Sequence, residues 1–203
     1  TGGYGEYLYV PSPYKVIKIP ESLPLDCVMA FACAGPTTIR AHKYAGPVLP
    51  AENVVVQGTG PVGLFNLLYA NSSSPRSLIS IGAPEKRLEV ARALGATHTL
   101  DVEKTSEEDR NKVVMELTDG LGADRVHEAS GNPKAVPEGM EFLQNRGKYL
   151  VIGQFSDRGT IPIKPHYITM KAYQMIGSNS FALSDIYDYL RFLECVPEMH
   201  DAI

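Results

Sequence analysis

The apolar residues of this chain switch repeatedly between two spacings. Val54, Val55 and Val56 form a short β-branched run, and after a glycine-rich stretch Val62, Leu64, Phe65, Leu67 and Leu68 recur at helical intervals. The switch predicts a strand, a turn and a helix within residues 53–70. The alternation then continues, with strands predicted at 78–81, 98–100, 125–128, 148–152 and 174–176 and helices at 85–94, 106–118, 133–143 and 184–193. Such strand–helix alternation predicts an α/β fold, a doubly wound parallel sheet with helices on both faces and right-handed crossovers. Upstream, Tyr7, Tyr9, Val16, Ile17 and Ile19 alternate as β structure does, broken by Pro11-Ser12-Pro13. Residues 20–24 read as a loop. Residues 25–44 carry helical spacing, with a second helix expected to begin at Gly35-Pro36.

The turn at the centre reads Gly58-Thr59-Gly60-Pro61-Val62-Gly63, with the spacing G-x-G-x-x-G. Between a strand and a helix this spacing suits a dinucleotide's pyrophosphate. Gly58 allows the tight turn, Gly60 lets the backbone approach the phosphates, and Gly63 lets the helix lie close on the strand. Pro61 fits the first helical turn, where its missing N–H is no loss. The helix N-terminus supplies N–H donors and the positive end of the dipole. A plain tight turn is the competing reading of the glycines alone.

Composition narrows the remaining options. At 203 residues, 44% hydrophobic and 21% charged, the chain has the make-up of an ordinary globular domain with a substantial core. A net charge of −4, with no basic cluster, argues against nucleic-acid binding, and no membrane-length apolar run or signal peptide is present. Three scattered cysteines, Cys27, Cys33 and Cys195, form no disulfide framework and point to a reducing cytoplasm. The chain opens without Met, and a piece of a longer polypeptide is the expectation.

A dinucleotide fold commonly carries a carboxylate about 20 residues beyond the glycine turn to bind the ribose hydroxyls. Gly82 occupies that position. A glycine there leaves room for a 2′-phosphate whose charge Lys86 or Arg87 can meet, so NAD and NADP both stay open; a solvated helix start is the plainer reading of those two cations. Glu85 fits a helix N-terminus for dipole reasons alone. Cys33, among apolar neighbours, reads first as a small buried hydrophobe and second as a metal ligand. None of the five histidines has a partner at metal-binding spacing, and His98 and His127 are expected as satisfied core or rim residues.

The order of segments resembles the medium-chain dehydrogenases, in their zinc-dependent alcohol dehydrogenase-like branch. The resemblance rests on Gly2-Gly3-Tyr4-Gly5-Glu6-Tyr7, on Cys33-Ala34-Gly35-Pro36-Thr37-Thr38, and on the 54–63 turn. It continues through Arg87-Leu88-Glu89-Val90-Ala91, Leu94-Gly95-Ala96-Thr97, Gly122-Ala123-Asp124-Arg125-Val126, Glu128-Ala129-Ser130-Gly131-Asn132-Pro133 and 147–153. It implies a Rossmann domain holding NAD or NADP, flanked by GroES-like catalytic-domain remnants. The implied boundaries are 1–34 for a remnant with its linking helix, 35–180 for the dinucleotide-binding domain, and 181–203 for a returning helix. By the same resemblance Cys33 is a catalytic zinc ligand and Thr37 lies beside the nicotinamide. Arg87 lies near the adenosine ribose and Ser130 on the adenine side, while Ile152, Ser178 and Ser180 line the carboxamide.

The implied activity is hydride transfer between an alcohol or carbonyl substrate and nicotinamide, with zinc polarising the substrate oxygen in the intact protein. The family's other zinc ligands have no counterpart in this sequence, so the 203 residues are expected to bind metal weakly or not at all. Two alternatives stand beside this reading: a zinc-free, quinone-reductase-like member with Cys33 in the core, and a nucleotide-binding module without turnover. A homo-oligomer joined through the last strand, at Met175-Ile176-Gly177, is also implied.

Overall fold

The computed structural model describes residues 5–12 and 16–203. Six strands form one wholly parallel sheet: β1 (Asn53–Gln57), β2 (Ser77–Gly82), β3 (His98–Asp101), β4 (Ala123–Glu128), β5 (Leu143–Val151) and β6 (Gln174–Gly177), in the order β3-β2-β1-β4-β5-β6. Among the described residues eight helices accompany them: α1 (Leu25–Ala30), α2 (Ala34–Ala45), α3 (Pro61–Asn71), α4 (Glu85–Ala93), α5 (Glu107–Leu117), α6 (Ala135–Phe142), α7 (Pro165–Met170) and α8 (Leu183–Cys195), with a final 3₁₀ turn at Pro197–Ala202.

The predicted double winding is present, and β1 shows why. Its residues are all buried, with Val54 and Val56 in a cluster with Leu67 of α3 and Ala91 of α4, while Val55 joins Val114 of α5 and Met140 of α6. A strand apolar on both faces needs a helical layer on each side. A second apolar layer locks α1, α2, α3 and α8 together through Phe31, Phe65, Tyr189 and Leu193. There a side chain on Gly35 would come within 2.3 Å of the Tyr189 ring, so a glycine is required for α2 to meet α8 this closely. The Tyr189 hydroxyl donates to the Val28 carbonyl at 2.9 Å, tying in α1.

Several expectations are corrected. Among the described residues of the 4–19 stretch there is no strand; Tyr7 and Tyr9 are 92% and 87% exposed, with no neighbouring strand to pair with. Tyr4 and Pro13 lie outside the described residues. The second helix starts at Ala34 rather than at Gly35-Pro36, and β5 begins at Leu143, directly after α6. Helix α7, which is not among the predicted elements, is six residues long and has no fully buried residue.

Candidate functional site

The carboxyl ends of β1 and β4 lie side by side, and the chain leaves them toward opposite edges of the sheet. Such a reversal opens a crevice, as ligand sites in α/β sheets commonly do. Here it is a cleft of about 500 Å³, walled by Gln57–Gly60, Ile81–Ala83, Arg87, Ala129, Ser130 and side chains of α5 and α6.

The glycine turn forms its floor. Gly58 has φ +106°, and a Cβ there would stand 2.7 Å from the Ser130 amide nitrogen. A Cβ on Gly63 would stand 1.9 Å from the Gly58 carbonyl oxygen, so the start of α3 lies hard against the strand end. A Cβ on Gly60, by contrast, would meet nothing within 4 Å among the described residues. The backbone there is bare toward open space. Gly60 is also the N-cap of α3, with no side-chain cap bond, and Pro61 follows it; Leu64 N–H enters the helix ladder by donating to Gly60 O at 2.9 Å. That leaves the Val62 and Gly63 N–H groups as the donors of the first turn. This arrangement fits a diphosphate.

Gly82 lies in the same wall, but the space a side chain would take there is already filled: a Cβ would meet the Thr59 side chain at 2.5 Å. Thr59 is buried, and its hydroxyl donates to Ala83 O at 2.9 Å. The expected free room at Gly82 is therefore corrected in part; Gly82 admits Thr59, and the open volume lies beyond it. Arg87 is exposed and lines the cleft, whereas Lys86 does not. Glu85 is engaged by Arg92 at 2.6 Å and Lys104 at 3.2 Å, which hold its carboxyl below the usual range.

The far wall carries a polar network that sequence reasoning missed. Gln57 Nε2 donates to Ala135 O at 2.9 Å and to Glu138 at 3.1 Å, and the Tyr149 hydroxyl donates to Gln57 Oε1 at 3.1 Å. Arg110 Nε donates to Glu138 at 2.6 Å. Burial raises the Glu138 pKa in spite of that partner. The signal available in sequence was Gln57 itself, a polar residue directly after the apolar run Val54–Val56.

Ser130 lies in the cleft wall, but its hydroxyl donates inward to Glu128 at 2.7 Å. Ile152 and Ser178 line a second cleft of about 360 Å³ beyond β5 and β6, together with Gln154 and Phe155. The Gln154 amide nitrogen and the Ser178 hydroxyl have no hydrogen-bond partner among the described residues. Ser180, exposed and at φ +59°, and half-buried Thr37 line neither cleft. The Thr37 hydroxyl donates to Cys33 O at 2.8 Å across the first turn of α2.

Cys33 is exposed, which corrects its reading as a buried small hydrophobe. No group of three His, Cys, Asp or Glu side chains suited to a metal ion occurs among the described residues, so these residues do not by themselves complete a zinc site around Cys33. His127 is a core residue as expected, but neither ring nitrogen has a partner among the described residues, which corrects its reading as satisfied. His98 is an exposed rim residue. No helix among the described residues is long and apolar enough to cross a membrane.

Comparison with known proteins follows the same lines. A family model for zinc-binding dehydrogenases matches residues 61–195. The chain is 36% identical over 177 residues to the 5-exo-hydroxycamphor dehydrogenase of Pseudomonas putida, covering 87% of this chain and 49% of that protein. It is 30% identical to the erythritol/L-threitol dehydrogenase of Mycolicibacterium smegmatis, covering 79% of this chain and 43% of that one. A crystal structure of an alcohol dehydrogenase from Thermotoga maritima superposes with a TM-score of 0.85 at 30% identity, over 91% of this chain and 51% of that one. The chain thus spans about half the length of the relatives it matches. With its strand order, its glycine turn and these matches, the chain belongs to the zinc-binding dehydrogenase family, in the alcohol dehydrogenase-like branch of the medium-chain dehydrogenases.

Proposed function

We propose that this chain is the coenzyme-binding part of an NAD(P)-dependent alcohol dehydrogenase acting on a small alcohol or carbonyl compound. The observation that carries the reading is the bare backbone at Gly60, placed between a strand end and an uncapped helix start in the cleft at the β1/β4 reversal. When bound, the nucleotide supplies a hydride acceptor or donor at nicotinamide C4.

The chain's own residues bind and orient. Gly58, Gly60 and Pro61, with the amides of Val62 and Gly63, hold the pyrophosphate. Gly82 and Arg87 face the adenosine ribose, and Ser130 the adenine side. Ile152, Ser178 and Ser180 receive the nicotinamide carboxamide, with Thr37 on α2 beside the ring. Cys33 is assigned as one zinc ligand in the full-length enzyme, its partners supplied from outside these 203 residues. The sheet edge at β6, where Met175 is 39% exposed, is assigned to contact with a second copy.

Calorimetric titration with NAD and with NADP tests the reading. Saturable binding of either supports it, and no binding of both overturns it. Tighter NADP binding that is lost in Arg87→Ala assigns that guanidinium to the 2′-phosphate, whereas tighter NAD binding removes that assignment.

A further inference from the structure

Glu128 ends β4 with its side chain completely buried. Its Oε1 accepts three hydrogen bonds, from the Ser130 amide at 2.8 Å, the Ser130 hydroxyl at 2.7 Å and the Gly131 amide at 2.8 Å. Its Oε2 has no partner among the described residues. A buried carboxylate served by uncharged donors on one oxygen only is a costly way to end a strand, and an apolar residue would cost the fold less. What the three donors have in common is the loop that follows, residues 129–131.

That loop stands between the two clefts. Ala129 and Ser130 face the larger one, while Gly153, on its other side, lies between Ile152 and Gln154 of the smaller. There is no slack on either flank. A Cβ on Gly58 would come 2.7 Å from the Ser130 nitrogen, and a Cβ on Gly153 would come 2.5 Å from the Gly131 nitrogen and 2.9 Å from Glu128 Oε2. The ends of β1 and β5 therefore grip the loop from its two sides, and Glu128 sets its height above the sheet.

We propose that Glu128 is a positioning residue for the dinucleotide. By gathering Ser130 and Gly131 onto one oxygen it fixes the partition between the cleft at the glycine turn and the cleft beyond β5, so that both halves of one nucleotide are held at once. The inference rests on the coenzyme reading above. A partition at the wrong height would still admit a mononucleotide on one side, but it would place the two half-sites at a separation the pyrophosphate does not span.

The test compares NAD, NADP and AMP by calorimetry on the 203-residue chain, wild type against Glu128→Gln. The amide keeps the shape and one acceptor oxygen but loses the charge. The expected result is a dinucleotide affinity weakened by about tenfold, the size of a charge-assisted cluster made neutral, with AMP affinity changed by less than about twofold. Gly153→Ala leaves the carboxylate in place and presses the same loop from the other flank; the same selective loss is expected, and it decides the matter if Glu128→Gln does not fold. A lower unfolding temperature with an unchanged ratio of dinucleotide to AMP affinity would reduce Glu128 to a structural residue and overturn the proposal. Failure of the wild type to bind NAD or NADP overturns the coenzyme reading instead.

Discussion

His42 of α2 and His127 of β4 meet edge to face, with ring centroids 4.9 Å apart and planes at 86°, in the layer between helix and sheet. His42 Nε2 lies 3.2 Å from Asn66 Oδ1, while His42 Nδ1 and both nitrogens of His127 have no partner among the described residues. Burial is the main reason that the His42 pKa falls from 6.5 to about 4, with Arg125 opposing protonation further. Burial likewise holds His127 well below its ordinary value, aided by His42 and Arg125. In both the folded-state pKa lies below the unfolded one, so the unfolded chain binds the protons first as pH falls. Stability is therefore full above about pH 6.5 and declines toward pH 4, His42 alone accounting for about 3 kcal/mol across that window. Urea unfolding at pH 7, 6 and 5 should show the decline. In His127→Leu, which removes one of the two groups and its unpaired nitrogens, the slope should be shallower; an unchanged slope would assign the decline to other groups.

Gly60 and Gly63 belong to one turn but should respond oppositely. In Gly60→Ala the new methyl meets no atom of the described residues within 4 Å. Stability should stay within about 0.5 kcal/mol of wild type while nucleotide affinity falls. In Gly63→Ala the methyl would stand 1.9 Å from Gly58 O, and a loss of about 3 kcal/mol or more is expected from overpacking. Thermal unfolding with and without nucleotide separates the two.

Arg110 is the cation on Glu138, with side chains 8% and 9% exposed. Arg110→Met should cost about 3–5 kcal/mol at pH 8, because it leaves a buried carboxylate without its charge partner. The folded pKa of Glu138 is already raised by burial, and removing the cation raises it further, so the folded state gains relative stability as pH drops and the carboxyl takes up its proton. The penalty should thus be smaller at pH 5 than at pH 8; an equal penalty at both would mean that the pair is not electrostatically coupled.

Asp185 joins α8 to α2. Its buried carboxylate receives Arg40 at 2.7 Å, Lys43 at 2.6 Å and the Ala182 amide at 2.7 Å. Burial opposes its ionisation, but Lys43, the Ala182 amide and Arg40 more than offset this, and its pKa lies below 3.8. Its contribution is complete above that value and is lost only at lower pH. Asp185→Asn should destabilise the chain by about 2–3 kcal/mol, uniformly from pH 6 to pH 8, in denaturant titrations.

Much of the molecule was legible in its residue order because the interactions concerned are local or periodic. Val54 to Val56 are apolar on both strand faces, and the sheet covered on both sides follows from that. Gly58, Gly60 and Gly63 lie within six residues, so their spacing already describes the turn. Tyr7 and Tyr9 carry the same β-type alternation without forming a strand, since a strand is completed by a neighbour and none stands beside them among the described residues.

Contacts between distant segments were decided only in three dimensions. Thr59 fills the space at Gly82, 23 positions along the chain; Tyr189 occupies the hollow that Gly35 leaves; and His42 meets His127 across a helix–sheet boundary. Alternation of apolar residues established the layers, and the glycine spacing at 58–63 marked the strand end where the larger cleft opens. Burial, hydrogen-bond partnership and the shape of the clefts came only with tertiary packing, because desolvation and close contact depend on what lies on every side of a residue, and sequence records only the neighbours before and after it.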